Sequence, residues 1–164
     1  MSTAKGVPSA PRGRPARGMR FAVIQARFNG RLTGRLERGA RGALRGLGAR
    51  SRDIETVRVP GSFELPLAAL LAARSGRFDA VICVGAIIKG ETAHDVVIAR
   101  ACADGLQAAA AETGVPVMLG VITAPDAATA AARAGTGSGR NLGKEAAVAA
   151  VGMVPVVRRL ARPA

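Results

Sequence analysis

The chain has 164 residues, 49% of them hydrophobic, with no Trp or Tyr, four Phe and a formal net charge of +13. That length supports one domain with a real core. The scarcity of aromatic residues excludes the stacking platforms of single-stranded nucleic-acid binders, and no charge-free apolar stretch of about 20 residues is present to span a membrane. Residues 1–18, rich in Pro, Gly, Ala and Arg, read as a basic disordered extension without the apolar core of a secretory signal. The folded domain is expected over residues 19–164. Phe21 to Ala26 reads as a first strand. Leu32, Leu36, Ala40, Ala43 and Leu47 then recur at helical spacing, with Arg31, Arg35, Arg38 and Arg45 on the opposite face, and Gly46-Leu47-Gly48 ends that helix. A second strand, Ile54 to Val59, stops at Pro60-Gly61, and a helix follows from Phe63 to Ala73. The third strand is Ala80 to Val84, the next helix Thr92 to Glu112, and the fourth strand Pro116 to Ile122. Pro125-Asp126 opens a further helix. A glycine-rich loop runs from Gly135 to Gly143, and a last helix from Lys144 toward Arg159.

Strand and helix alternate throughout, and the strands are continuous apolar runs. Both properties predict a parallel four-stranded sheet covered by helices on both faces. The two cysteines, Cys83 and Cys102, fall in a strand and a helix, as small buried hydrophobes of a reducing, cytoplasmic compartment. The first 58 residues hold 14 of the 24 Lys and Arg but only 3 of the 11 Asp and Glu. No nucleic-acid motif accompanies that excess, so it reads as a solvated surface, and nucleic acid is not an expected partner.

In such a sheet the carboxyl ends of the strands gather at one edge, where ligands bind. Four segments meet there: Arg27-Phe28-Asn29-Gly30, Pro60 to Glu64, the run from Gly85 to His94, and Thr123-Ala124-Pro125. Together they suit a planar polar ring and an anion. His94 is the only histidine in the chain. Near a helix start it can move a proton in either direction, or serve as an ordinary surface group. Lys89 can hold a phosphate or be a solvated loop charge. Glu91 and Thr92 stand where helix caps stand. Phe28 and Phe63 can form a stacking wall or belong to the core. One histidine cannot build a metal cluster, and no phosphate-binding G-x-x-x-x-G-K-[ST] loop or nucleophile elbow is present.

The segments Ala26-Arg27-Phe28-Asn29, Val59 to Pro66, Gly85 to His94, Thr113 to Val117 and Arg133 to Thr136 occur in one order and spacing. With them the chain closely resembles the lumazine synthase family of riboflavin biosynthesis, from about Arg20 to Met153. The resemblance implies a flavodoxin-like three-layer αβα sandwich. It implies a transferase that condenses 5-amino-6-(D-ribitylamino)uracil with 3,4-dihydroxy-2-butanone 4-phosphate, with no cofactor and no metal. Phe28 would stack on the pyrimidine and Asn29 lie beside the ribityl chain. Ser62, Phe63 and Glu64 would hold the ribitylamino part. Ala86, Ile87 and Ile88 would bind the uracil edge. Gly90, Glu91 and Thr92 would receive the phosphate with Arg133, and His94, aided by Lys89, would move protons. The site would lie between neighbours of a homopentamer, with Leu119 and Arg133 coming from the adjacent chain. A decamer or a 60-subunit icosahedral capsid would be the larger assemblies, and riboflavin synthase an associated protein. The loop from Gly135 to Gly143 is one residue longer than in shell-forming members, which points to the pentamer.

Three positions depart from the family pattern: Lys89 stands for Arg, Leu119 for Phe, and Leu142 for the Lys of an Asn-Lys-Gly turn. Those departures motivate a second reading, a flavin- or lumazine-binding relative with weak activity. A third is a shell whose basic amino-terminal arm binds polyanions.

Overall fold

The computed structural model describes residues 13–135 and 139–161. Its sheet has four parallel strands, β1 (Phe21–Ala26), β2 (Ile54–Val59), β3 (Ala80–Ile88) and β4 (Val117–Ala124), in the order β2-β1-β3-β4. Between and after them run α1 (Gly30–Gly46), α2 (Leu65–Arg74), α3 (His94–Thr113), α4 (Ala127–Arg133) and α5 (Leu142–Leu160). The first crossover carries the chain outward from β1 to β2. The next returns past β1 to β3, and the third continues to β4. Right-handed crossovers therefore put α1 on one face and α2 and α3 on the other. The two apolar layers follow that division. Leu36, Leu44, Ala147 and Val151 cover one face of the sheet with Phe21, Val23 and Ile82, while Leu65, Ala69, Cys102 and Leu106 cover the other with Ile24, Val81 and Cys83. This is the three-layer sandwich expected from the sequence.

Glycines let the layers close. A Cβ at Gly143 in α5 would collide with the Leu36 backbone of α1, and one at Gly105 in α3 would stand 2.7 Å from Pro66 of α2. Both helix pairs thus meet at van der Waals distance because one partner has no side chain there.

Several boundaries differ from expectation. β3 continues to Ile88, paired through Ile88↔Ala124, whereas the sequence places its end at Val84. Gly85 reads as a break, but Ala86-Ile87-Ile88 remain apolar and find a full hydrogen-bonding partner in β4. α3 starts at His94 rather than Thr92. Its N-cap is Ala93, without a side-chain cap of its own; Glu91 and Thr92 precede the helix, and Thr92 Oγ1 accepts from the His94 N–H at 3.4 Å. α5 starts at Leu142 because Asn141 caps it, accepting from the Lys144 N–H at 3.0 Å.

Residues 13–18 of the predicted extension pack against the domain. Ala16 is fully buried and its N–H donates to Leu47 O at 3.0 Å, so residues 13–18 belong to the folded body. Residues 1–12 of that extension, and residues 136–138 of the glycine-rich loop, lie outside the described residues. Among the described residues no helix is long and apolar enough to cross a membrane.

Candidate active site

The strand order reverses direction between β1 and β3: the chain leaves β1 toward β2 and leaves β3 toward β4. A crevice opens beyond the carboxyl ends of strands at such a switch point. Here it is a cleft of about 790 Å³. Each wall comes from a different strand end. Phe28 follows β1, Pro60 to Glu64 follow β2, Ala86, Ile87 and Ile88 end β3, and Thr92, His94, Asp95, Val97 and Ile98 belong to the entry and first turns of α3.

Local chemistry fixes these walls. Asn29 adopts the left-handed conformation (φ 57°), which Asn tolerates better than most residues. Its Nδ2–H then donates to Ala86 O at 2.8 Å, tying the end of β1 to β3 across the switch point. The Phe28 N–H donates to Pro60 O at 3.0 Å, which ties the same turn to β2. Glu64 turns back so that its Oε2 accepts from the Gly61 N–H at 2.8 Å, closing the short 3-10 turn Ser62–Glu64. Ser62 is buried against Gly85, where an added Cβ would stand 2.5 Å from the Ser62 Oγ. The two aromatic rings remain in the open. Phe28 is 71% exposed and Phe63 59%, an unfavourable place for apolar area unless something covers it.

Ten residues expected at the site line this cleft: Phe28, Ser62, Phe63, Glu64, Ala86, Ile87, Ile88, Gly90, Thr92 and His94. Asn29 stands behind them through its bond to Ala86. The others lie elsewhere. Lys89 lines a separate cleft of about 410 Å³ with Thr123, Ala124 and Pro125, and Asp95 borders both clefts. Glu91 is exposed and lines neither. Leu119 sits half-exposed in the edge strand β4, and Arg133 is the exposed last residue of α4. Within a single chain, Lys89, Leu119 and Arg133 are thus not part of the lining of the cleft that holds His94.

The sequence placed Pro60 and Gly61 in a segment at this edge but did not single out Asp95, Val97 or Ile98 as lining residues. Val97 and Ile98 were within reach of it, since they stand three and four positions after His94, on the same helical face. The cleft lining contains Glu64 and Asp95 but no Lys or Arg. It can stack a ring, hydrogen-bond a polyol and move a proton, but by itself it offers an anion no lysine or arginine.

Residues 18–158 match the family model described as 6,7-dimethyl-8-ribityllumazine synthase. Among similar proteins, the 6,7-dimethyl-8-ribityllumazine synthase of Syntrophus aciditrophicus (strain SB) is 43% identical over 155 residues, covering 94% of this chain and 100% of the relative. The protein of the same name from Halorhodospira halophila (strain DSM 244 / SL1) is 47% identical over 141 residues, covering 86% of this chain and 90% of the relative.

Proposed function

Because the chain belongs to the 6,7-dimethyl-8-ribityllumazine synthase family, we propose that its switch-point cleft condenses 5-amino-6-(D-ribitylamino)uracil with 3,4-dihydroxy-2-butanone 4-phosphate. The products are 6,7-dimethyl-8-ribityllumazine, inorganic phosphate and water, and the reaction is a step of riboflavin biosynthesis. The observation that carries this reading is the convergence of Phe28, Ser62 to Glu64, Ala86 to Ile88 and His94, from three strand ends, on one cleft. In it Phe28 stacks on the pyrimidine, and the backbone of Ala86 to Ile88 meets the uracil edge. Ser62, Phe63 and Glu64 hold the ribityl chain, with Asn29 beside it. The phosphate lies at the start of α3, beside Gly90, Glu91 and Thr92, where free N–H groups and the helix dipole favour an anion.

The work of the site is then to hold amine and ketone face to face and to move protons between them. Positioning contributes through effective concentration. The amine adds to the carbonyl and water leaves as the imine forms. Phosphate is then eliminated, and ring closure releases the second water. His94 takes and returns the protons of these steps, with Lys89 at the margin of the site.

The missing cation points to a second copy of the chain. A phosphorylated substrate wants an arginine fork, and the lining has none. Arg133 is exposed and absent from the cleft lining of its own chain, and Leu119, Leu67, Leu71, Val96 and Val97 leave apolar area uncovered. In a homopentamer a neighbour's Leu119 and Arg133 close each cleft. Larger assemblies and an association with riboflavin synthase would build on that unit in the cytoplasm.

Mixing the two substrates with the protein is expected to give lumazine, followed by its absorbance. His94→Ala lowers kcat by about 10²–10⁴, the usual worth of general acid–base catalysis, and Arg133→Ala raises KM for the phosphorylated substrate. Mixed oligomers of the two variants recover part of the rate, because some interfaces pair an intact His94 with an intact Arg133. Absence of lumazine from the native protein would overturn the function. Full activity in both variants would overturn the roles.

A further inference from the structure

Five arginines of α1, Arg31, Arg35, Arg38, Arg41 and Arg45, follow one another at spacings of three or four residues. They therefore share one outward stripe, opposite the buried Thr33, Leu36, Ala40 and Leu44. Glu37 engages Arg41, whose guanidinium also donates to Thr56 Oγ1 at 3.0 Å. The other four have no carboxylate partner among the described residues. Elsewhere Arg50, Arg74, Arg77, Arg140 and Arg158 are each ion-paired. Four like charges thus stand along about 21 Å of helix, a self-repelling arrangement that no carboxylate among the described residues compensates.

A second observation is independent of charge. Gly34 and Gly42 lie inside α1 on the same outward face, and neither has a positive φ. A Cβ at Gly42 would meet nothing within 4 Å, and one at Gly34 would make only ordinary contact, 3.5 Å from Arg38 Nη1. Each costs the helix about 1 kcal/mol relative to alanine with no packing reason among the described residues. Their effect is a face stripped to backbone between arginine forks, which lets a broad partner approach closely.

We propose that the outward face of α1 docks a nucleic-acid backbone without regard to sequence. Arg31, Arg35, Arg38 and Arg45 fit phosphates bidentately, and their span matches about six steps of a strand with about 3.4 Å of axial rise per phosphate. The lack of nucleic-acid motifs and aromatic platforms, which set such a partner aside at the level of sequence, removes base reading and stacking but not phosphate contact.

The test is fluorescence anisotropy of a fluorescein-labelled 20-base-pair DNA duplex with the full chain, from 50 to 200 mM salt. Four phosphate contacts give a slope of about −3.6 in log K against log salt, or roughly a 100-fold loss over that range. Joint Arg31, Arg35, Arg38 and Arg45→Gln replacement flattens the slope and abolishes binding at 200 mM, whereas joint Arg→Lys replacement keeps most of the slope. Removal of residues 1–12 leaves binding within about threefold. Circular dichroism shows that the glutamine variant is folded. No binding at 50 mM salt overturns the proposal, as does binding that survives in the folded glutamine variant or is lost with residues 1–12. Displacement of the duplex by polyglutamate at equal charge would mark an acidic protein surface as the partner and overturn it equally.

Discussion

Gly85 shows how a single hydrogen atom can place a functional group. Its missing side chain is the space that the Ser62 hydroxyl occupies, with Leu65 Cδ1 and Val121 Cγ1 each 3.3 Å from where a Cβ would stand. Gly85→Ala therefore displaces Ser62 and the turn that bears Phe63 and Glu64. The expected result is a KM for the ribitylaminouracil raised roughly tenfold or more, given that an error of about 1 Å at a reacting site can cost 100-fold. Steady-state kinetics with each substrate varied in turn checks it, since a loss confined to the other substrate would contradict the placement. The two cysteines make a different residue-scale statement. Both are buried and free. Burial pushes the Cys83 thiol up, with a smaller push from Cys102, and raises Cys102 from its ordinary 9.0 to about 11. A raised thiol favours the protonated folded state, so its contribution is complete below pH 9 and is lost as pH rises toward about 11. Neither thiol should react with iodoacetamide at pH 8 until denaturant is added. Rapid labelling of the native protein would show one of them to be accessible.

At the scale of elements, Asn141 joins three parts of the chain. Its Oδ1 caps α5, and its Nδ2–H donates to Arg35 O of α1 at 3.1 Å and to Gly135 O at 2.9 Å. Asn141→Ala removes the cap and both of these bonds, and is expected to cost about 2 kcal/mol, read as a lower midpoint in urea unfolding. Asp126 caps α4 in the same manner, accepting from the Thr129 N–H at 2.7 Å. Bonds from Thr129, led by its backbone N–H, hold the Asp126 carboxyl below its ordinary range. That contribution is present above the ordinary carboxylate range and fades as pH falls through the lower value of the folded state. Both caps could be read from the sequence in principle, as Asn or Asp just ahead of a helix. The sequence placed a helix opening at Pro125-Asp126 through the proline, without the cap, and the glycines around Asn141 mask the other helix start. The length of β3 was not legible either. Gly85 looks like a break in one dimension, and only the pairing of Gly85 to Ile88 with Val121 to Ala124 keeps the strand going.

At the scale of the molecule, the cleft lining of a single chain holds no Lys or Arg, and large apolar side chains stand exposed. Leu67 and Leu71 stand one turn apart on α2, at 65% and 58% exposure. Joint Leu67→Glu and Leu71→Glu replacement is expected to shift the protein to smaller species in light scattering and to lower lumazine formation with it. An unchanged mass would remove α2 from the contact between copies. The sequence by itself determined the element order, the parallel sheet and most residues that line the cleft. Those follow from local patterning: apolar runs make strands, 3.6-residue periodicity makes helices, and alternation of the two leaves little choice of handedness. Only the tertiary structure decided that β1 and β3 are neighbours, which sets the cleft between Phe28 and His94. It also decided that residues 13–18 are folded, and that Arg133 and Lys89 do not line the cleft of His94. Those facts depend on contacts between residues far apart in the chain, where burial and hydrogen bonding across layers outweigh what any segment prefers alone.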